Sequence, residues 1–202
     1  MPKQPQITPA EESAMVAVTG ATGFVGRAVV QQLLEAGYRH VVAIARKAPS
    51  LPLADDGVIF RAADLSNSAD ACAALADCQM VIHLVGIIRP TPSQSFQKAH
   101  VTITENVIFA MRKIGIRRLV HMSALGTRAG AASTYHQTKW AAEQMILKSQ
   151  LDATIIRPGL IIGQGGEFTH PATPRSTYGR TLNPEAKQAK LDLLKSVKLI
   201  KT

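Results

Sequence analysis

The sequence predicts an α/β fold, a doubly wound parallel sheet between two layers of helices (αβα), and three observations carry that prediction. Short apolar runs rich in β-branched residues alternate with longer amphipathic stretches from Met15 to Arg157. A glycine-spaced turn, Thr19-Gly20-Ala21-Thr22-Gly23-Phe24-Val25-Gly26, joins the first apolar run to the first helical one. The chain has 202 residues, 46% of them apolar, which suits one domain able to bury roughly 70% of its unfolded surface.

Taken in order, strands are expected at Met15–Thr19, His40–Ala45, Val58–Arg61, Met80–Val85, Arg118–Ser123 and Ala153–Arg157. Helical spacing falls between them at Val25–Ala36, Ala69–Ala76, Phe96–Ile114 and Tyr135–Ser149, with Gly37 and Gly115 placed as C-terminal caps. A strand followed by a crossover helix and another strand returns parallel to the first, so the alternation specifies a Rossmann-type sheet. Residues 1–13 read as a flexible lead, 14–168 as the dinucleotide-binding domain, and 169–202 as a linker and basic helix. In that last segment Asn183 and Pro184 supply a helix start. Ala186, Ala189, Leu193, Val197 and Ile200 then share one face, ringed by lysines. Such a helix docks on the sheet, lies as a poorly ordered tail, or meets an anionic membrane surface or a partner.

Composition narrows the function classes. The formal net charge is +9, but residues 171–202 hold seven basic groups against two acidic ones, so most of the excess belongs to the tail. With 4% aromatic residues, a stacking platform for nucleic acid is not indicated. The longest apolar stretch, Met80 to Ile88, is broken by His83 and Gly86 and falls short of a membrane span. No apolar signal segment opens the chain, and Cys72 and Cys78 have no metal-ligand or disulfide-framework spacing, which points to a reducing cytoplasm. The six histidines lack HxxxH or HExxH spacing, so no metal is expected. His83 and His121, in expected strands, read as hydrogen-bonded core groups, and Trp140 reads as packing.

The glycine turn carries chemistry. Gly20 permits the tight turn, Gly23 lets backbone approach a pyrophosphate, and Gly26 lets the helix pack closely on the strand. The amides around Thr22, Phe24 and Val25, at the positive end of that helix, then face the phosphates. Twenty residues beyond Gly26, where an NAD site places a carboxylate on the ribose 2′-hydroxyl, stand Arg46 and Lys47. A guanidinium there pairs with a 2′-phosphate, so NADP(H) is favoured over NAD(H), the alternative being that Arg46 is a solvated strand-end residue.

Several further motifs resemble one family. The TGxxGxxG pattern, Asp64-Leu65, His83-Leu84-Val85-Gly86, Tyr135-His136-Gln137-Thr138-Lys139 and Arg157-Pro158-Gly159 resemble the extended short-chain dehydrogenase/reductases, the NAD-dependent epimerase/dehydratase group. The runs LVGIIRP, RRLVHMSALG and YHQTKWAAE look like its atypical branch, which includes the nucleotide-binding accessory subunit of respiratory complex I and its bacterial relatives. The resemblance implies that Asp64 and Leu65 flank the adenine, that Leu84, Val85 and Gly86 line the ribose and nicotinamide, and that Tyr135 and Lys139 form a catalytic pair. It places Arg157 and Pro158 on the cofactor as well. Four residues apart on a helix, Tyr135 and Lys139 share a face, and positive charge beside the phenol is expected to lower its pKa toward working pH. The family's substrate-contacting hydroxyl follows a first serine; here the pair is Ser123-Ala124, so Ser123 is either a structural residue or a less well-aimed substitute. The family's substrate lobe is expected to be truncated after residue 168. A bound nucleotide with a structural or regulatory role is therefore the first expectation. The alternatives are an active NADP-dependent reductase, epimerase or dehydratase on a carbonyl, sugar-nucleotide or quinone-like substrate, and an interaction module. In the last, residues 184–202 dock on a respiratory complex or on the inner membrane face.

Overall fold

A computed structural model describes residues 7–49 and 56–161. Six strands form one parallel sheet: β1 (Met15–Thr19), β2 (His40–Ala45), β3 (Val58–Ala62), β4 (Met80–His83), β5 (Arg118–Met122) and β6 (Asp152–Ile156). Their order is β3-β2-β1-β4-β5-β6, and the chain reverses direction across the sheet between β1 and β4. In such a sheet the crevice at the strands' carboxyl ends, where the order reverses, receives the ligand. Val18 of β1 pairs with both Ala43 of β2 and Ile82 of β4, so the register is tightly set there.

The helices are α1 (Pro9–Ser13), α2 (Phe24–Glu35), α3 (Ser68–Leu75), α4 (Ile103–Ile114) and α5 (Thr134–Lys148). Nearly continuous apolar strands bury both faces. Val16, Val18, Met80, Ile82 and Val120 point to the side where α2 packs through Val29, Val30 and Leu33. Ala17, Val42, Ile44, Val81 and Leu119 point to the other side, against Leu75 of α3, Val107 and Met111 of α4, and Ile146 of α5. Each wholly buried aliphatic side chain contributes about 2 kcal/mol, so this alternation is the main force holding the strand order.

Differences from the expected elements have local causes. Pro9–Ser13, within the stretch expected as a lead, is a helical turn because Thr8 and Glu11 form a capping box, and Glu12 pairs with Arg39 at 3.4 Å. The single helix expected over Phe96–Ile114 opens with a π-helical turn, Gln97–Thr102, before α4 begins. There the Thr104 hydroxyl donates to the His100 carbonyl at 2.6 Å. β4 ends at His83, two residues early, because Leu84–Gly86 leave the ladder to form the cleft floor. Asn67 caps α3 through the amides of Ala69 and Asp70, and Ser133 caps α5 through His136. Gly115 closes α4 at φ +91°, and Gly37, after α2, adopts φ +104°. The expected linker and basic helix, and the remainder of the domain beyond residue 161, lie outside the described residues.

Candidate functional site

A cleft of about 1060 Å³ runs along the carboxyl ends of the strands. One end is built by the turn between β1 and α2. Gly20 sits at φ +71°, with its amide bonded to the Ile44 carbonyl at 3.0 Å, and an added Cβ would lie 3.2 Å from the Val85 amide nitrogen. A Cβ on Gly26 would overlap the Gly20 carbonyl and lie 2.7 Å from Ala21 Cα, so only glycine lets α2 start this close to β1. Gly23 is the N-cap and has no side chain with which to cap, so the first-turn amides of α2 remain directed at the cleft. Gly20, Thr22, Gly23, Phe24, Val25 and Gly26 all line it.

Arg46 and Asp64, both exposed, stand at the ends of β2 and β3 and line the same cavity, as does Leu65. Asp64 accepts the Ser66 hydroxyl and amide at 2.8 and 3.0 Å, which holds its carboxyl below the usual carboxylate range; Lys98 and Arg46 add to the effect. Asn106 of α4 donates to the Leu65 carbonyl at 3.0 Å and fixes that corner.

Leu84, Val85 and Gly86 form the floor, and Ser123 and Tyr135 the far wall. Lys139 is not on the lining. It is 3% exposed, lies beneath Gly86, and its ammonium donates to the Met122 carbonyl at 3.0 Å. A Cβ on Gly86 would meet the Lys139 nitrogen at 3.0 Å, so a glycine at the floor is what leaves the amine its place. Burial pulls the Lys139 ammonium down to about 8 against the upward pull of Glu143. The Tyr135 phenol is pushed above its ordinary value by burial, the reverse of the expected lowering, because desolvation of the phenolate governs it. Ser123 is buried, with its hydroxyl donating to Thr127 at 3.4 Å, and Ala124 follows it on the cleft wall.

Of the other residues named from sequence, Pro158 lines the cleft while Arg157 turns away. Its guanidinium pairs with the buried Glu143 carboxylate at 2.9 and 2.5 Å and lies over the Trp140 ring. Carboxylate contact raises the Arg157 pKa further.

Three buried histidines underlie the floor, and His100 is the one sequence reading passed over. His100 Nδ1 lies 2.9 Å from the Thr138 hydroxyl, and Nε2 lies 3.2 Å from the Ile87 amide and 3.1 Å from the Ile87 carbonyl, so the ring is held from both sides. Its ring also lies edge-on to Tyr135, with centroids 5.3 Å apart. The Thr104 hydroxyl gives its proton to the His100 carbonyl, so His83 Nε2 donates to Thr104 at 3.1 Å and Nδ1 accepts from Thr19 at 2.7 Å. His121 stacks on His83 and, contrary to expectation, neither ring nitrogen has a hydrogen-bond partner among the described residues. All three are held neutral mainly by burial, His83 and His100 down to about 3, with the Lys139 charge adding to the effect. No local sequence pattern reveals these contacts, since residues 83, 100, 121 and 138 meet only when four elements pack.

A family profile described as NAD(P)H-binding matches residues 20–181. Among curated relatives, subunit 9 of the NADH dehydrogenase (ubiquinone) 1 alpha subcomplex of Arabidopsis thaliana is 34% identical, covering 76% of this chain and 40% of its own length. The ceramide reductase of Caulobacter vibrioides is 30% identical, covering 77% of this chain and 49% of its own. This chain thus spans less than half the length of these two relatives. The NAD+ complex of the Bordetella bronchiseptica enzyme WbmH superposes with a TM-score of 0.67 at 22% identity, over 77% of this chain and 59% of that one, a likeness of fold. A glycine turn of this geometry at the switch point of a six-stranded parallel sheet, together with that profile, makes the chain a member of the NAD(P)H-binding family of epimerase/dehydratase-like short-chain dehydrogenase/reductases.

Proposed function

We propose that the chain binds NADP(H) in preference to NAD(H), and that Tyr135 gives a proton to a substrate carbonyl as it is reduced. The observation that carries this reading is continuity: the glycine turn, Arg46, Gly86 and Tyr135 line one cavity, with Lys139 directly beneath its floor. Bound NADPH supplies the hydride. First-turn amides of α2 take the diphosphate, and Arg46 takes the 2′-phosphate through its planar fork. Asp64 and Leu65 border the adenine, and Leu84 to Gly86 support the ribose and nicotinamide end. Tyr135, kept protonated by burial, acts as the acid toward the carbonyl oxygen. Lys139 sets a positive charge behind that oxygen and stabilises the phenolate as the proton leaves.

Calorimetry on the full chain tests the reading. NADPH is expected to bind at least tenfold more tightly than NADH, and Arg46→Ala to erase the difference; equal affinities, or no heat with either nucleotide, overturn it. Tyr135→Phe is expected to lower carbonyl reduction by 10²-fold or more with nucleotide affinity kept.

One observation favours a second reading, in which the nucleotide is a structural or regulatory element. The Ser123 hydroxyl is spent on Thr127 and Ala124 offers none, so a substrate oxygen lacks a second donor from this wall. Under that reading the chain is a peripheral component on the cytoplasmic face of a membrane, meeting a respiratory complex through residues 184–202, and Tyr135→Phe changes neither assembly nor nucleotide affinity. Among the described residues no helix is long and apolar enough to cross a membrane.

A further inference from the structure

Beyond Tyr135 the cleft changes chemistry. The glycine-turn end presents amides and the charged Arg46 and Asp64, whereas the opposite end is walled by Ile87, Ile88, Leu125, Leu160 and Ile161. Ile88, Leu125 and Leu160 are 45%, 60% and 40% exposed. They come from the three loops that follow β4, β5 and β6, and each lines this same cavity. A single exposed leucine is ordinary, but three from separate loops around one opening form an apolar patch continuous with the site.

The patch is preformed. His100 holds the Ile87 amide at 3.2 Å, the Leu125 amide donates to the Pro158 carbonyl at 2.8 Å, and His136 Nε2 donates to the Leu125 carbonyl at 3.1 Å. The loops after β4, β5 and β6 are thereby tied to α5, to the π-helical turn or to one another. Apart from Ser123 and Tyr135, the polar side chains at this end come from the loop after β4, where Arg89 is the one cation lining it and no carboxylate joins it among the described residues. A sugar diphosphate would need several cations and hydroxyl acceptors there; an aliphatic chain needs neither.

We propose that the substrate is a carbonyl compound on a long aliphatic chain, with the chain along Ile88, Leu125 and Leu160 and the carbonyl oxygen at Tyr135. This rests on the proton-donor reading of Tyr135 given above. In the reduction the carbonyl π bond breaks, its carbon gains the hydride of the reduced dinucleotide, its oxygen gains the Tyr135 proton, and an alcohol and the oxidised dinucleotide leave.

The test is calorimetry of the full chain with 2-octanone, 2-decanone and 2-dodecanone, with and without NADPH, and UDP-glucose in parallel. Affinity is expected to rise about tenfold for every two methylenes added. Leu125→Asp and Ile88→Asp, both at exposed positions, are expected to weaken 2-dodecanone at least tenfold while NADPH binds as before. Affinity independent of chain length, tighter binding of UDP-glucose, an unchanged response in both variants, or no heat at any length because residues 162–202 fill the opening would each overturn the proposal. Absence of NADPH binding with the chain-length trend intact would instead overturn the nucleotide reading and leave the apolar site standing.

Discussion

Gly26 and Gly86 show how much a missing side chain decides. At Gly26 a methyl group would collide with backbone on the opposite side of the turn, and backbone cannot rotate away as a side chain can. Gly26→Ala is therefore expected to destabilise the protein by roughly 3 kcal/mol and to weaken dinucleotide binding, read from the urea midpoint and a nucleotide titration; an unshifted midpoint would refute the packing argument. The role of Gly26 as a close-packing glycine was legible because strand, turn and helix are contiguous in sequence. Gly86 was legible as part of a cleft motif, but its reason was not: the atom it makes room for belongs to Lys139, on a helix fifty residues later. His100 was missed for the same cause, since its partners Ile87 and Thr138 lie on either side of it along the chain.

At the scale of elements, the Arg157–Glu143 contact ties the end of β6 to α5 asymmetrically. Side-chain exposure is 45% for Arg157 and 1% for Glu143. Removing the carboxylate frees a guanidinium that water can take up, whereas removing the guanidinium leaves a buried carboxylate with the Lys139 charge as its cationic neighbour among the described residues. Arg157→Met is thus expected to cost about 3 kcal/mol and Glu143→Met distinctly less, measured by chemical denaturation; equal losses would mean that the contact acts as a surface pair. Sequence motif alone assigned Arg157 to the cofactor, because a motif does not say toward which side of the strand end a long side chain turns. Element types and order were legible from periodicity and caps, but the π-helical turn was not, since the contact made by His100 within it is to Thr138 of α5, far along the chain.

For the molecule as a whole, the buried histidines govern the response to acid. An unfolded histidine titrates near 6.5. His83 and His100 do so at about 3 in the folded state, and His121 well below 6.5, so between those limits the unfolded chain binds protons that the folded one refuses. Stability is then expected to fall as pH drops below 6.5, by up to roughly 1.4 kcal/mol per pH unit for each histidine, and to hold from there up to about pH 8, where Lys139 begins to titrate. Urea midpoints at pH 7 and pH 5 check this; His121→Phe, which removes a ring with no hydrogen-bond partner among the described residues, is expected to lessen the dependence, and identical midpoints in the native chain would contradict it.

The amino-acid order by itself determined the alternation of strand and helix, the glycine turn and hence the family, because these depend on neighbours within a few residues and on periods of two and 3.6. Tertiary structure alone decided that Lys139 sits under the floor, that Arg157 faces Glu143, that burial raises the Tyr135 phenol instead of lowering it, and that three loops gather apolar side chains at one end of the cleft. Desolvation and contact between distant segments set these features, and both come into being only when the sheet brings β4, β5 and β6 side by side.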